Sequence, residues 1–432
     1  MDKKLLFVLP IIFLFAACAR QHEADRIYTN VYIHGVAVGG MNRAEAEAAL
    51  AERFTAQLEA RTVRYLKNGE VLAQYTFADF GAHFDFTAHI DDALIPRRGI
   101  ARLFRRELNT SPVFVFNAER LEDIVNELSQ KLDTSPQNAS FYADSSGNIS
   151  VTPERAGEGV NAELAAAATQ ALLKSLESGE ISLNFAPLAP LYTVADFEFE
   201  PKILGSFNTR IASASDAPRV RNINRAAERI NNSVIYPGET FSAGAIIASN
   251  LPESGYEAAL VLVQGQPVED IGGGVCQVVS TLYIAALHAE LAILQRHNHS
   301  ARVNYVDVGF DATVAGDYFD LKIQNTTPRP ILITSYSNRN NLYVRIHGYE
   351  QRENNRSLRF EATTEIIPPE PYREVVDPTV PRGTRQITLE SQMGYHVELY
   401  KIVYIDNIEH TREKINTSVY KPTQGIIAIG AG

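Results

Sequence analysis

Tryptophan is absent from the 432 residues, and cysteine occurs only at positions 18 and 276. Without tryptophan the chain lacks the usual indole platform for stacking sugar rings, although 19 tyrosines and 20 phenylalanines could take that role. The formal net charge of −11 excludes broad electrostatic attachment to anionic polymers, so no nucleic-acid partner is expected. Long apolar runs are also scarce. One run, Leu5 to Ala17, follows Lys3 and Lys4. It falls short of the roughly 20 residues that span a bilayer and reads instead as the core of a signal peptide over residues 1–17.

That run ends "FAAC", which resembles the lipobox of bacterial lipoproteins. The resemblance implies cleavage before Cys18 and lipidation of its thiol, giving a membrane partner through the lipid anchor. An ordinary secretory signal is the alternative. Either way the remaining chain is expected to be extracytoplasmic. With Cys18 consumed, Cys276 has no intrachain disulfide partner and is a free thiol in a compartment that oxidises thiols. It is then a packing residue, a metal ligand or a nucleophile. A structural zinc site wants four protein ligands and only one thiol is on offer, so neither metal nor cofactor is expected.

The length suggests about two to four domains at roughly 100–200 residues each. Residues 18–64 read as the processed N-terminus followed by a strand, a Gly39-Gly40 turn and a helix. Asn42 and Glu45 stand at capping-box spacing. "NAERLEDIVNELSQKLD" (117–133) and "NAELAAAATQALLKSLES" (161–178) each open Asn-Ala-Glu and continue with helical spacing. Between them a hairpin is expected around Ser146-Gly147. With "NASFYADSSGNISVTPERAGEGVN" as its signature, the α+β stretch 65–195 resembles the peptidoglycan-binding domain that precedes L,D-transpeptidase and VanW modules. Prolines at 187, 190 and 201 suggest a linker, and a second proline-rich stretch (366–384) suggests another boundary. After it, alternating residues with a turn at Asp406-Asn407 predict a small all-β domain within 366–432. That stretch resembles the G5 domain, which implies binding to N-acetylglucosamine-containing wall material.

Between these boundaries, Arg219 with Asn222, "PGETFS", "GGGVCQVVSTLY", "RHNHS" and "GFDATV" follow one another in order. By these motifs residues 203–348 resemble the VanW family, named for an accessory protein of vancomycin-resistance clusters. Phe310 departs from the pattern, since a basic residue usually precedes this aspartate.

The residues of the central motif suggest chemistry of their own. Glycines 272, 273 and 274 precede a breaker-free apolar stretch from Val275 to Leu294, predicting a helix that starts near Cys276. A thiol in the first turn is acidified by the helix dipole, and the N–H groups there can receive an oxyanion. The base would be His297 or His299, two apart on an expected strand and so on one face, with Asp311 as orienter. Gly272, Gly273, Gly274, Gln277, Arg219 and Asn222 are the candidate oxyanion- or substrate-binding residues. A helix of ~18 residues would be ~27 Å long and would carry both histidines to the end remote from Cys276.

The expected protein is therefore a multidomain α+β lipoprotein of the cell envelope with peptidoglycan as its partner. Two readings stand side by side. The first is a protein that binds or organises peptidoglycan through its N-terminal and VanW-like domains. The second is a cysteine enzyme performing acyl transfer or hydrolysis on peptidoglycan stem peptides, with Cys276 as nucleophile.

Overall fold

The structure is a computed structural model that describes residues 25–431 except 97–98, 212–216, 248–254, 264–265, 317 and 339. Residues 1–17, expected to be a signal peptide, and Cys18 lie outside the described residues. No helix among the described residues is long and apolar enough to cross a membrane. The chain is α+β and forms two compact units, one from residues 25–137 with 156–190 and the other from 138–155 with 191–431.

In the first unit, Asn42 accepts from Glu45 N–H and Glu45 returns the bond to Asn42 N–H, closing the expected capping box on helix Arg43–Glu59. That helix feeds two cores. Ala46 and Leu50 pack with Ile33, Val38 and Ile90, whereas Leu58 packs with Val63, Tyr65 and Phe80. The boundary expected between residues 64 and 65 falls inside strand Thr62–Lys67, which pairs with Glu70–Thr76 and, in parallel, with Gly179–Ser182. Helices Ala118–Leu132 and Ala162–Ser175 begin as the repeated sequence predicts, capped by Asn117 and Asn161.

The hairpin expected around Ser146-Gly147 forms from Ser140–Ala143 and Ile149–Thr152, with Gly147 at φ 83°. It belongs to the second unit. Asn232 bonds both the N–H and the C=O of Ala143, and Phe141 packs edge-on against Phe197. The proline-rich segment before residue 201 is correspondingly not a free linker: Phe185–Leu188 is a strand of the first unit, and Phe197 is buried in the second.

The centre of the second unit is an antiparallel sheet in the order Lys202–Arg210, Asn341–Gly348, Ile331–Ser337, Ser233–Ile235. Helices Ala217–Ile230 and Val275–His288 pack on it. The amphipathic first helix buries Ile223, Ala226, Ala227 and Ile230. The second is mostly apolar and buried along nearly its whole length, which suits a helix surrounded by protein.

This second helix is shorter than its sequence suggests. It stops at His288 because Glu290 takes a left-handed conformation (φ 58°), with Leu291 N–H bonded to Ala286 C=O and Glu290 N–H to Leu287 C=O. That is a Schellman stop with glutamate where glycine is usual. Arg356 holds the Glu290 carboxylate with both guanidinium nitrogens, Arg352 lies 3.7 Å from it, and the chain turns back into strand Ala292–Gln295.

The C-terminal strands Arg356–Ile367, Gly394–Ile405 and Ile408–Tyr420 form a long antiparallel sheet. Its hairpin turns at Asp406-Asn407, both at positive φ, as a two-residue turn requires. The first of these strands runs through Ile366 and Ile367, so the second proline-rich stretch begins within the all-β region rather than before it.

Candidate functional site

Cys276 is the second residue of the buried helix, behind Gly274, whose φ of 106° provides the turn. The preceding glycines leave no room for side chains. A Cβ on Gly273 would lie 2.7 Å from the Ala259 backbone, and one on Gly274 would lie 3.0 Å from Arg219 Cγ. At the mouth of the helix Val275 N–H donates to Gly272 C=O and Gln277 N–H to Gly274 C=O. The Cys276 N–H between them has no backbone acceptor among the described residues. It therefore lies at the positive end of the helix dipole beside its own thiol.

The early stop of the helix brings the histidine back. From Cys276 to the helix end is ~18 Å at 1.5 Å per residue, and the extended return from Leu291 to His299 covers ~26 Å at ~3.3 Å per residue. His299 thereby reaches the thiol. The strand ends at Gln295, so His297 and His299 do not share a strand face. His297 turns to Phe319, with ring centroids 4.8 Å apart, and to the Gln295 amide. Of the two candidate bases, only His299 meets Cys276.

Asp311 completes the line. Its Oδ2 accepts from both Nδ1 and the backbone N–H of His299 at 2.7 Å. Arg296, whose side chain is 6 % exposed, donates to Asp311 Oδ1 at 3.1 Å and to its carbonyl at 2.7 Å. The loop carrying Asp311 is pinned to the helix one turn beyond Cys276. There Ser280 Oγ accepts from Ala312 N–H and shares its one proton between the Cys276 and Ala312 carbonyls.

The electrostatics follow from these contacts. Burial pushes the Cys276 thiol up, but the hydrogen bond and positive charge of His299, together with Thr313 Oγ1 at 3.3 Å, outweigh it and bring it to about 7. Burial pushes His299 down, yet hydrogen bonds to Asp311 and Cys276 and their negative charges raise it to about 9. Burial would raise Asp311, but His299 first and then Arg296 hold it below the ordinary carboxylate range. Between those two values the favoured state is a thiolate beside an imidazolium, the pairing that activates thiol nucleophiles.

The thiol opens on a cavity of about 590 Å³ lined by Arg210, Arg219, Leu260, Val261, Asp270, His299, Asn304 and Tyr305. Two of the residues expected here are bonded into the framework, Gln277 at the cavity wall and Asn222 behind it. Asn222 is buried: its Nδ2 donates to the Glu257 and Gly273 carbonyls, and its Oδ1 accepts from Glu257 N–H. Gln277 is buried too, donating to Thr209 and Arg210 and accepting from Arg219. They fix the glycine turn and Arg219 in place.

Tyr305 was not foreseen from the sequence. Its ring stands edge-on to His299, at 6.4 Å between centroids. Its hydroxyl is buried and has no hydrogen bond of regular geometry among the described residues, since the Ser280 hydroxyl that it approaches is committed to Ala312 and Cys276. Burial keeps that hydroxyl protonated, so it is a donor. "RVNYV" carries no signal that would single it out.

Comparison with known proteins identifies the domains of the chain. Family models match in order: "Putative peptidoglycan binding domain" over residues 76–182, "VanW like protein" over 218–347 and "G5 domain" over 360–432. The YoaR protein of Bacillus subtilis is 33% identical over 219 residues, covering 50% of this chain and 70% of YoaR. The vancomycin B-type resistance protein VanW of Enterococcus faecalis is 32% identical over 129 residues, 29% of this chain and 47% of that protein. Among solved structures, an IgA1 protease G5 domain aligns at 23% identity and TM-score 0.15, covering 19% of this chain and 95% of that one. An Enterococcus faecium L,D-transpeptidase aligns at 10% identity and TM-score 0.19, covering 51% and 75%. The chain belongs to the VanW family. Its domain content is that of a cell-wall-associated protein.

Proposed function

We propose that this protein is a cell-wall thiol enzyme that transfers or hydrolyses acyl groups of peptidoglycan stem peptides. The observation that carries the reading is the line of Cys276 and His299 at the wall of one cavity with Asp311 behind them, and a Cys276 N–H that has no backbone acceptor among the described residues. Stem peptides carry carboxylates, and Arg210 and Arg219 on the cavity wall suit an anionic substrate.

In this reading the Cys276 thiolate attacks the carbonyl carbon of a stem-peptide amide. The carbonyl π electrons move to oxygen, which the Cys276 N–H stabilises. Collapse re-forms the carbonyl and breaks the C–N bond, and the leaving amine takes the proton from the His299 imidazolium. A thioester remains. An acceptor amine or water then attacks it while His299 removes the attacking group's proton, and the Cys276 thiolate leaves. Asp311 holds Nδ1–H throughout, so that Nε2 is the nitrogen that exchanges the proton.

The test is intact-mass spectrometry of the protein after mixing with purified muropeptides. A hydroxylamine-labile acyl adduct on Cys276, absent from Cys276→Ala, is the expected result. No adduct and no turned-over muropeptide would contradict the enzyme reading. The domain matches over 76–182 and 360–432 favour a second role, wall binding, that does not need the thiol. Unchanged sedimentation of Cys276→Ala with peptidoglycan sacculi, alongside loss of turnover, would separate the two roles.

A further inference from the structure

Asp311 is held on one side by the loop that bears His299 and on the other by the C-terminal β hairpin. Tyr420, at the end of strand Ile408–Tyr420 and 1 % exposed, donates to Asp311 Oδ1 at 2.5 Å and accepts from Gly309 N–H at 2.7 Å. Two residues earlier, Ser418 accepts from Arg296 at 2.7 Å, the guanidinium that also grips Asp311. Asn416 reaches the Gly309 carbonyl and the Tyr283 hydroxyl of the buried helix. The backbone joins in: Asn298 donates to the Val419 carbonyl, and Lys421 N–H donates to the Ser300 carbonyl, on either side of His299.

Alternate residues of one strand face, 416, 418 and 420, thus point at the loops of the thiol site. The wall of the site is built from a part of the chain more than a hundred residues away. A domain tethered only for wall attachment would have no need of buried polar side chains aimed at a neighbouring carboxylate, because each costs free energy unless it is fully bonded.

We infer that the C-terminal β domain is a working part of the thiol site, with Tyr420 and Ser418 as positioning residues that hold Asp311 and Arg296 and, through them, His299 against Cys276. This rests on the thiol-enzyme reading and adds to it: the region matched as a G5 domain completes the site instead of merely delivering it to the wall. Removing the Tyr420 hydroxyl leaves Oδ1 and Gly309 N–H without their partner. The carboxylate is then free to rotate, His299 loses its fixed orientation, and the thiol loses its imidazolium.

The experiment compares wild type, Tyr420→Phe, Ser418→Ala and Ile408→Ser in the full chain. Ile408 lies at the tip of the same hairpin and is 73 % exposed, so its replacement controls for effects on the strand itself. The rate of Cys276 alkylation is followed against pH, with muropeptide turnover and thermal unfolding measured beside it. Tyr420→Phe and Ser418→Ala are expected to remain folded, to alkylate on the order of tenfold more slowly at pH 7 as the midpoint moves toward that of a free thiol, and to lose turnover in parallel. Ile408→Ser is expected to match wild type. If Tyr420→Phe does not fold, Ser418→Ala decides alone.

A wild-type midpoint and wild-type turnover in the variants would overturn the inference while leaving the thiol-enzyme reading intact. A wild-type protein whose thiol titrates like free cysteine would overturn that reading and this inference together.

Discussion

Replacing Asp311 by asparagine tests the physical basis of the site with little change in shape. Asp311 is fully buried and accepts from four donors: His299 Nδ1, His299 N–H, Arg296 and Tyr420. An amide offers one acceptor oxygen and one NH₂. In either orientation the NH₂ faces donors, the two of His299 or those of Arg296 and Tyr420. The substitution also leaves the Arg296 guanidinium without its anion in a site where its side chain is 6 % exposed. Breaking a buried charged pair in this way costs about 3–5 kcal/mol. Against a total domain stability of about 5–15 kcal/mol, that is a large fraction.

With a urea slope of about 2 kcal/mol per molar, the unfolding midpoint of the second unit should fall by ~1.5–2.5 M at pH 7. The pH dependence has a definite sign. The folded carboxyl is held below its ordinary value, so its contribution is complete above an unfolded pKa near ~3.9 and is lost as pH falls through the folded value. The gap between wild type and Asp311→Asn should therefore narrow as pH is lowered from 5 to 3. A midpoint shift below ~0.3 M at pH 7, or a gap that does not respond to pH, would refute the reasoning.

Further predictions concern neighbouring groups. His299→Ala should abolish turnover and return the thiol midpoint toward that of a free thiol, whereas His297→Ala, directed at Phe319, should leave the midpoint in place; both are read by alkylation kinetics. Gly274→Ala meets both a φ of 106° and Arg219 Cγ at 3.0 Å, and thermal unfolding should show a loss of about 1–3 kcal/mol.

Much of the local structure could be read from the sequence because it is written in local chemistry. The Asn42/Glu45 capping box, the asparagine caps at 117 and 161, and the turns at Gly147 and Asp406-Asn407 each depend on residues within a few positions. The length of the buried helix could not be read in the same way. Its stop relies on Glu290 in a conformation glycine usually takes, held by Arg356 from a distant strand. That hidden stop decides whether His299 can reach Cys276. The destination of the hairpin 140–152 was hidden for the same reason, since its partners at Asn232 and Phe197 lie far along the chain. Cys276 and Asp311 stood out through their motifs. Tyr305, Arg296 and Tyr420 did not, because their roles arise only from contacts that the fold creates.

The most direct measurement of the central claim is the pH dependence of Cys276 alkylation by iodoacetamide. A thiol paired with His299 should react with a midpoint near 7 in the native protein, and the midpoint should rise in His299→Ala. A thiol that reacts only after denaturation, or one that titrates like free cysteine in both proteins, would contradict the account and leave Cys276 as a packing residue behind its glycines.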